Sequence, residues 1–447
     1  MSVSSLPDAS LYTETTTPTA ARPHSTGDGA VASEMVAGSG RRTTLALALA
    51  GNVFAAVTST LLAAYLPDTV RDLVGGASAT EVGRIGAYVG ALFLVGWALG
   101  GVGLGWAGDH VGRVRAFALA VAITGVGTLA AAWSPTWPAL VACRFVTGMG
   151  VGGTLVVSTI LVAEAWPGRA RAVVLGVLAV SYPVGIIAAG AVSYAVADWR
   201  TAFLVGVAPL ALSVAAAVLL RDSAAWTDGR AQRSSVRRGG STFGDVWAPA
   251  HRTNFLVGAT VFGAMLVGLW ATFSWLPTWA QSLVGDAAGG QQTRGLLMML
   301  LGMGGIAGGA ASGVVANALG RRRALLVAFG GCTVASGILF GTNAAFSPVI
   351  YAETAALALF FGLSQGVLSA YIPELFPAAI RSTATGLCFN LGRVVTAGAV
   401  FAVGALVGVF GGYGNAVLAF SLAYVLGFAA TWFGRETAPG SLPDALA

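Results

Sequence analysis

The chain has 447 residues, of which 56% are hydrophobic and only 9% charged, with a formal net charge of +6. A soluble domain carries about a quarter charged residues, so this composition excludes an ordinary soluble enzyme or binding module. All 24 basic residues are arginine, spread over short loops between apolar runs rather than gathered on one polar face, which speaks against nucleic-acid binding.

In chain order, residues 1–41 are polar and rich in Ser, Thr, Pro and Gly and predict a disordered cytoplasmic tail. Apolar runs long enough to cross a bilayer follow at 43–66, 83–106, 115–134, 137–164, 170–197 and 200–220. The one long interior polar stretch is 221–253. Six more runs follow at 254–283, 294–318, 323–343, 347–372, 380–409 and 414–434. The expected organisation is a six-helix bundle over 42–220, a cytoplasmic loop over 221–253, a second bundle over 254–435 and a cytoplasmic tail over 436–447. With that loop inside, 18 arginines fall on the cytoplasmic side, four outside and two within spans, as the positive-inside rule requires.

The halves are related. "GWAGDHVGRVRA" (105–116) closes the second span, and "GVVANALGRRRA" (313–324) closes the eighth, 208 positions later. Gly101 and Gly105, like Gly309 and Gly313, have the spacing that lets helix backbones approach closely. Likewise "AEAWPGRARAVVLG" (163–176) aligns with "PELFPAAIRSTATG" (373–386), pairing Glu164 and Arg171 with Glu374 and Arg381 at an offset of 210. Two motifs recurring at nearly one offset indicate an internal duplication. Duplicated six-helix halves with a midplane site between them are a transporter architecture.

Charges inside spans mark functional candidates, because burying them in lipid is costly. Arg393 sits halfway along the eleventh span, too deep to reach the interface, with Asn390 one turn earlier on the same face. An arginine fork suits a carboxylate, so the pair is a candidate for the anionic group of a substrate; a buried structural arginine is the alternative. Arg144 in the fourth span has Glu353 as its counterpart in the tenth. Either Glu353 carries a coupled proton with Arg144 as its regulator or an anion contact, or both side chains snorkel to the outer interface. Trp275, Gln365, Trp270, Phe361 and Asn52 are further candidates for the cavity wall, Trp275 and Gln365 foremost. Phe273, Ser274, Gln281, Phe360, Ser364, Thr58, Ser59 and Tyr182 stand behind them. Three scattered histidines and three single cysteines offer no metal site, no cofactor is implied, and the absence of a P-loop leaves no sign of ATP.

These residues resemble the major facilitator superfamily. Gly105, Asp109, Gly112, Arg113 and Arg115 match its loop signature, and Gly313, Asn317, Gly320, Arg321 and Arg322 match the weaker second copy. Arg144, Gly148 and Gly150 match its fourth-helix pattern. The Glu-Pro-Arg motifs and "FSWLPTWAQ" (273–281) look like the sugar porters and the metabolite:proton symporters of sialate or aromatic acids. "LLRDSAAW" (219–226) is a partial match to the motif ending their first half, with Asp222 in place of Glu.

The resemblance implies an all-α membrane protein of twelve helices in two pseudo-symmetric bundles, working as a monomer in the cytoplasmic membrane with both termini inside. It implies a conformational latch at the signature, in which Asp109 accepts bonds from a helix N-terminus and pairs with Arg113, joined by Glu164, Arg171, Glu374 and Arg381. The expected function is transport of a small organic carboxylate by alternating access with a proton. A drug or metabolite exporter, or a sugar:proton symporter, on the same fold is the alternative. The first span carries no acid of the kind many proton-coupled relatives have there.

Overall fold

The computed structural model describes residues 27–76, 78–166, 169–222, 243–285, 289–377 and 380–437. Residues 1–26, the loop interior 223–242 and the last ten residues lie outside this range. Twelve helices among the described residues are long and apolar enough to cross a membrane. They are α1 (Gly27–Val74), α2 (Ala79–Val111), α3 (Arg113–Ala132), α4 (Trp137–Ala165), α5 (Arg169–Ala195) and α6 (Trp199–Leu219). The second set is α7 (Arg252–Val284), α8 (Gly290–Leu319), α9 (Arg321–Thr342), α10 (Val349–Glu374), α11 (Arg381–Leu406) and α12 (Tyr413–Phe433). Each agrees with an apolar run read from the sequence. Helices are what lipid demands, since they satisfy every backbone polar group internally.

One boundary differs from expectation. Helix α1 begins at Gly27, so residues 27–41 are helical rather than part of a disordered tail. "GAVASEMVAG" is rich in good helix formers, and a long apolar helix downstream supplies the nucleus for upstream propagation.

Packing repeats between the halves. Helix α2 lies on α4 as α8 lies on α10; α1 lies on α5 as α7 lies on α11; α3 lies on α4 as α9 lies on α10. The bundles meet along α2 with α11 and along α5 with α8. Glycines set the closest of these contacts, but not those expected. A methyl on Gly96 or Gly100 of α2 would overlap the Phe145 or Met149 carbonyl of α4. Gly304 and Gly308 of α8, again 208 positions on, meet the Ala355 and Leu359 carbonyls of α10 in the same way. Gly105 touches only the Val156 side chain, and Gly313 faces open space. The close crossing therefore lies about one turn deeper than Gly101–Gly105 and Gly309–Gly313.

The end away from the loop signatures carries hydrogen bonds and an ion pair that join the bundles. There Arg294 of α8 pairs with Asp68 of α1, Gln291 donates to the Ser193 carbonyl at 2.7 Å, and the Tyr413 hydroxyl donates to the Ala79 carbonyl at 2.6 Å. These bonds seal that end of the molecule.

Candidate functional site

A cavity of about 360 Å³ lies between the bundles. Its polar lining is Asn52 from α1, Thr159 from α4, Tyr182 from α5, Gln365 from α10 and Arg393 from α11. Trp97, Tyr182, Phe262 and Trp270 supply aromatic walls. Trp97 meets Trp270 edge to face at 5.7 Å and 89°, which braces the rings against each other. Pro183 interrupts the α5 ladder one residue after Tyr182, and a proline there removes a backbone donor and bends the helix beside the cavity. Arg393 is the only charged residue in the described lining, and it forms no hydrogen bond or ion pair with the described residues.

Four of the expected substrate residues therefore converge: Arg393, Gln365, Trp270 and Asn52. Asn52 is oriented by Ser158, whose hydroxyl donates to its Oδ1 at 2.8 Å. Three do not line this cavity. Asn390 turns its amide back to the Gly386 carbonyl of its own helix at 3.0 Å instead of assisting Arg393. Phe361 packs edge-on against Phe273 at 6.1 Å. Trp275 is fully buried at the sealed end, stacked on Tyr413 at 5.6 Å. A methyl added at Gly86 would sit 2.9 Å from the Trp275 ring, so glycine makes room for the indole between α2 and α7. Trp97 and Thr159 were not anticipated. Their helices carried no marked polar face to betray them.

Arg144 and Glu353 are not brought together. Arg144 is 2% exposed and neither snorkels nor meets an acid. Its Nη1 donates to the Thr58 carbonyl at 2.6 Å and its Nη2 to the Ser59 carbonyl at 3.0 Å, with the guanidinium 4.4 Å from the Phe93 ring centre. Glu353 accepts from the Asn343 amide at 2.6 Å, next to the α9–α10 turn, and no acid lines the cavity among the described residues.

The loop signatures build two matching clusters at the other end. Arg113 pairs with Asp109 at 2.7 Å and with Glu164 at 3.2 Å. Arg321 pairs with Glu374 at 3.4 Å and accepts company from Asn317, its Nη1 donating to Oδ1 at 3.3 Å. Arg171 and Arg381 instead donate to backbone carbonyls five residues earlier, Trp166 and Phe376, each at 3.2 Å. Arg115 is exposed. Asp109, half exposed, does not accept from the helix N-terminus as expected. That place belongs to Asp222, whose Oδ1 accepts from the Val114 N–H at 2.9 Å. Glu436 does the same for α9, accepting from the Arg321 and Arg322 N–H groups at 2.8 and 3.2 Å. Both carboxylates lie over glycines with positive φ, Gly112 at 112° and Gly320 at 86°, where a side chain would be strained and would also strike the acid.

The sequence matches the family model described as Major Facilitator Superfamily over residues 47–397. The chain belongs to the major facilitator superfamily. This superfamily member is 29% identical over 346 residues to the cis,cis-muconate transport protein of Acinetobacter baylyi, covering 74% of this chain and 79% of the relative. It is also 29% identical over 293 residues to the 3-(3-hydroxy-phenyl)propionate transporter of Escherichia coli, covering 65% and 70%. Its fold matches the inward open conformation of the xylose transporter XylE from E. coli with a TM-score of 0.74 at 15% identity, covering 91% of this chain and 99% of that one. Like its relatives, this superfamily member is a membrane transporter and not an enzyme.

Proposed function

We propose that the chain carries a small organic carboxylate through the central cavity, with Arg393 binding the carboxylate and Trp97, Tyr182 and Trp270 flanking its carbon skeleton. The observation that supports this is the lone, unpaired guanidinium of Arg393 in an aromatic-walled cavity between the bundles. The relatives named for muconate and hydroxyphenylpropionate transport point the same way. A neutral sugar gives no reason for an unpaired cation there.

Alternating access follows from the pseudo-symmetric halves rocking about this site. The arginine asymmetry supports placing the signature end at the cytoplasmic face and the sealed end outside. A proton is co-transported in this reading. Asp68, which bonds across the bundles at the sealed end, is a better-placed acid than Glu353, which is tied to Asn343 beside a turn.

Uptake of labelled aromatic and aliphatic acids into proteoliposomes, with and without an inward proton gradient, tests the proposal. Arg393→Ala should reduce acid uptake about 10- to 100-fold, the scale of a lost hydrogen-bonded charge contact. Arg393→Lys should recover only part, because a point charge replaces a bidentate fork. Acid uptake unaffected by Arg393→Ala would return the residue to a structural role.

A further inference from the structure

A second, smaller cavity adjoins the first. It has a volume of about 40 Å³, room for about three waters or one carboxylate group. Ser59, Thr60, Ser274 and Arg144 are its polar lining. Trp270 lines both cavities. Arg144 has five N–H donors, of which Thr58 and Ser59 take two, and its buried Nε has no partner. Tyr182 lies within electrostatic range of both arginines and beside the Ser59 hydroxyl.

The charge balance is the decisive feature. Neither Arg144 nor Arg393 forms an ion pair among the described residues. Elsewhere in the molecule, buried arginines are matched: Arg113 has Asp109 and Glu164, and Arg294 has Asp68. Two guanidiniums without a carboxylate partner beside the cavities are costly, and two negative charges would offset that cost. No acid among the described residues lines either cavity, which leaves the cargo as the source of that charge.

Resting on the carboxylate reading above, we propose that the transported species is a dicarboxylate. One carboxylate sits on Arg393 in the larger cavity. The other enters the small cavity past the Trp270 ring and bonds the free donors of Arg144. Selectivity for two acid groups over one then comes from Arg144, and the requirement for any acid group from Arg393.

The test uses the full chain in proteoliposomes and two matched pairs of probes: benzene-1,4-dicarboxylate with benzoate, and hexanedioate with hexanoate. In the wild type the dicarboxylate of at least one pair should have a KM about 10- to 100-fold below its monocarboxylate, the scale of one charged hydrogen-bonded contact. Arg144→Gln should abolish the difference, bringing the ratio of monocarboxylate to dicarboxylate KM to about one. Arg144→Lys should restore part of the discrimination. Wild-type protein that takes monocarboxylates equally well overturns the proposal without needing any variant, and leaves the carboxylate reading intact. So does an Arg144→Gln protein that loses both probes in proportion, which marks a purely structural arginine, or one that keeps full discrimination. Wild-type protein that moves neither member of either pair sinks the carboxylate reading itself.

Discussion

Asp222 and Glu436 show how much a single side chain contributes at the signature end. Each carboxylate caps the N-terminus of a helix in the other arm of its bundle, where unsatisfied N–H groups and the helix dipole both favour negative charge. Asp222→Ala should cost about 1–2 kcal/mol, read as a lower thermal midpoint of the detergent-purified protein, while Asp222→Asn keeps most of the cap. An unchanged midpoint in the alanine variant would remove the capping role. The signal for these acids was in the sequence: "RD" at 221–222 and "RE" at 435–436 end the sixth and twelfth spans. It is hard to read because the acid differs between copies and the offset is 214 rather than 208 or 210. Arg393 was legible for a simpler reason, since a charge halfway along an apolar run has few structural explanations. Asn390 was not, because an asparagine can bond its own helix and sequence spacing cannot say whether it does.

At the level of elements, the helices themselves were written in the sequence, because lipid permits few other spanning structures. Their rotation was not. These helices are apolar nearly all round, so hydropathy does not say which stripe faces the partner, the cavity or lipid. That is why Trp275 was expected in the wall of the larger cavity when it lines the smaller one and stacks at the sealed end, and why the glycine contact was set one turn too shallow. The corrected crossing makes a sharp contrast. Gly308→Ala forces a methyl onto the Leu359 carbonyl and should destabilise the second bundle by about 1–3 kcal/mol, as overpacking does. Gly313→Ala, five residues on and facing open space, should leave stability within about 0.5 kcal/mol of wild type or raise it. Thermal midpoints of the two variants, measured side by side, decide between the deeper and the shallower crossing.

For the whole molecule, the distribution of cross-bundle bonds defines the state. Asp68–Arg294, Gln291–Ser193 and Tyr413–Ala79 all fasten the same end, while the Arg113–Glu164 and Arg321–Glu374 pairs each lie within one bundle. A rocking transporter needs bonds that exist in one state and not the other, because only these bias the equilibrium. Arg294 is 3% exposed and reaches across from α8 to α1, so its partner Asp68 acts on that equilibrium. The Arg113–Glu164 pair, internal to one bundle, need not change when the halves rock. Asp68→Asn removes the charge without removing the shape. It should weaken the closed far end by about 1–2 kcal/mol, moving the ratio of open to closed about 5- to 30-fold toward open. Spin labels at the exposed positions Arg71 and Gln292, in a background with the native cysteines replaced, would read this as growth of the longer-distance population. Glu164→Gln should not produce the same growth. If Asp68→Asn leaves the distance distribution unchanged, the far end is held by the Trp275–Tyr413 stack and the helix packing around it, and Asp68 has no part in the gate.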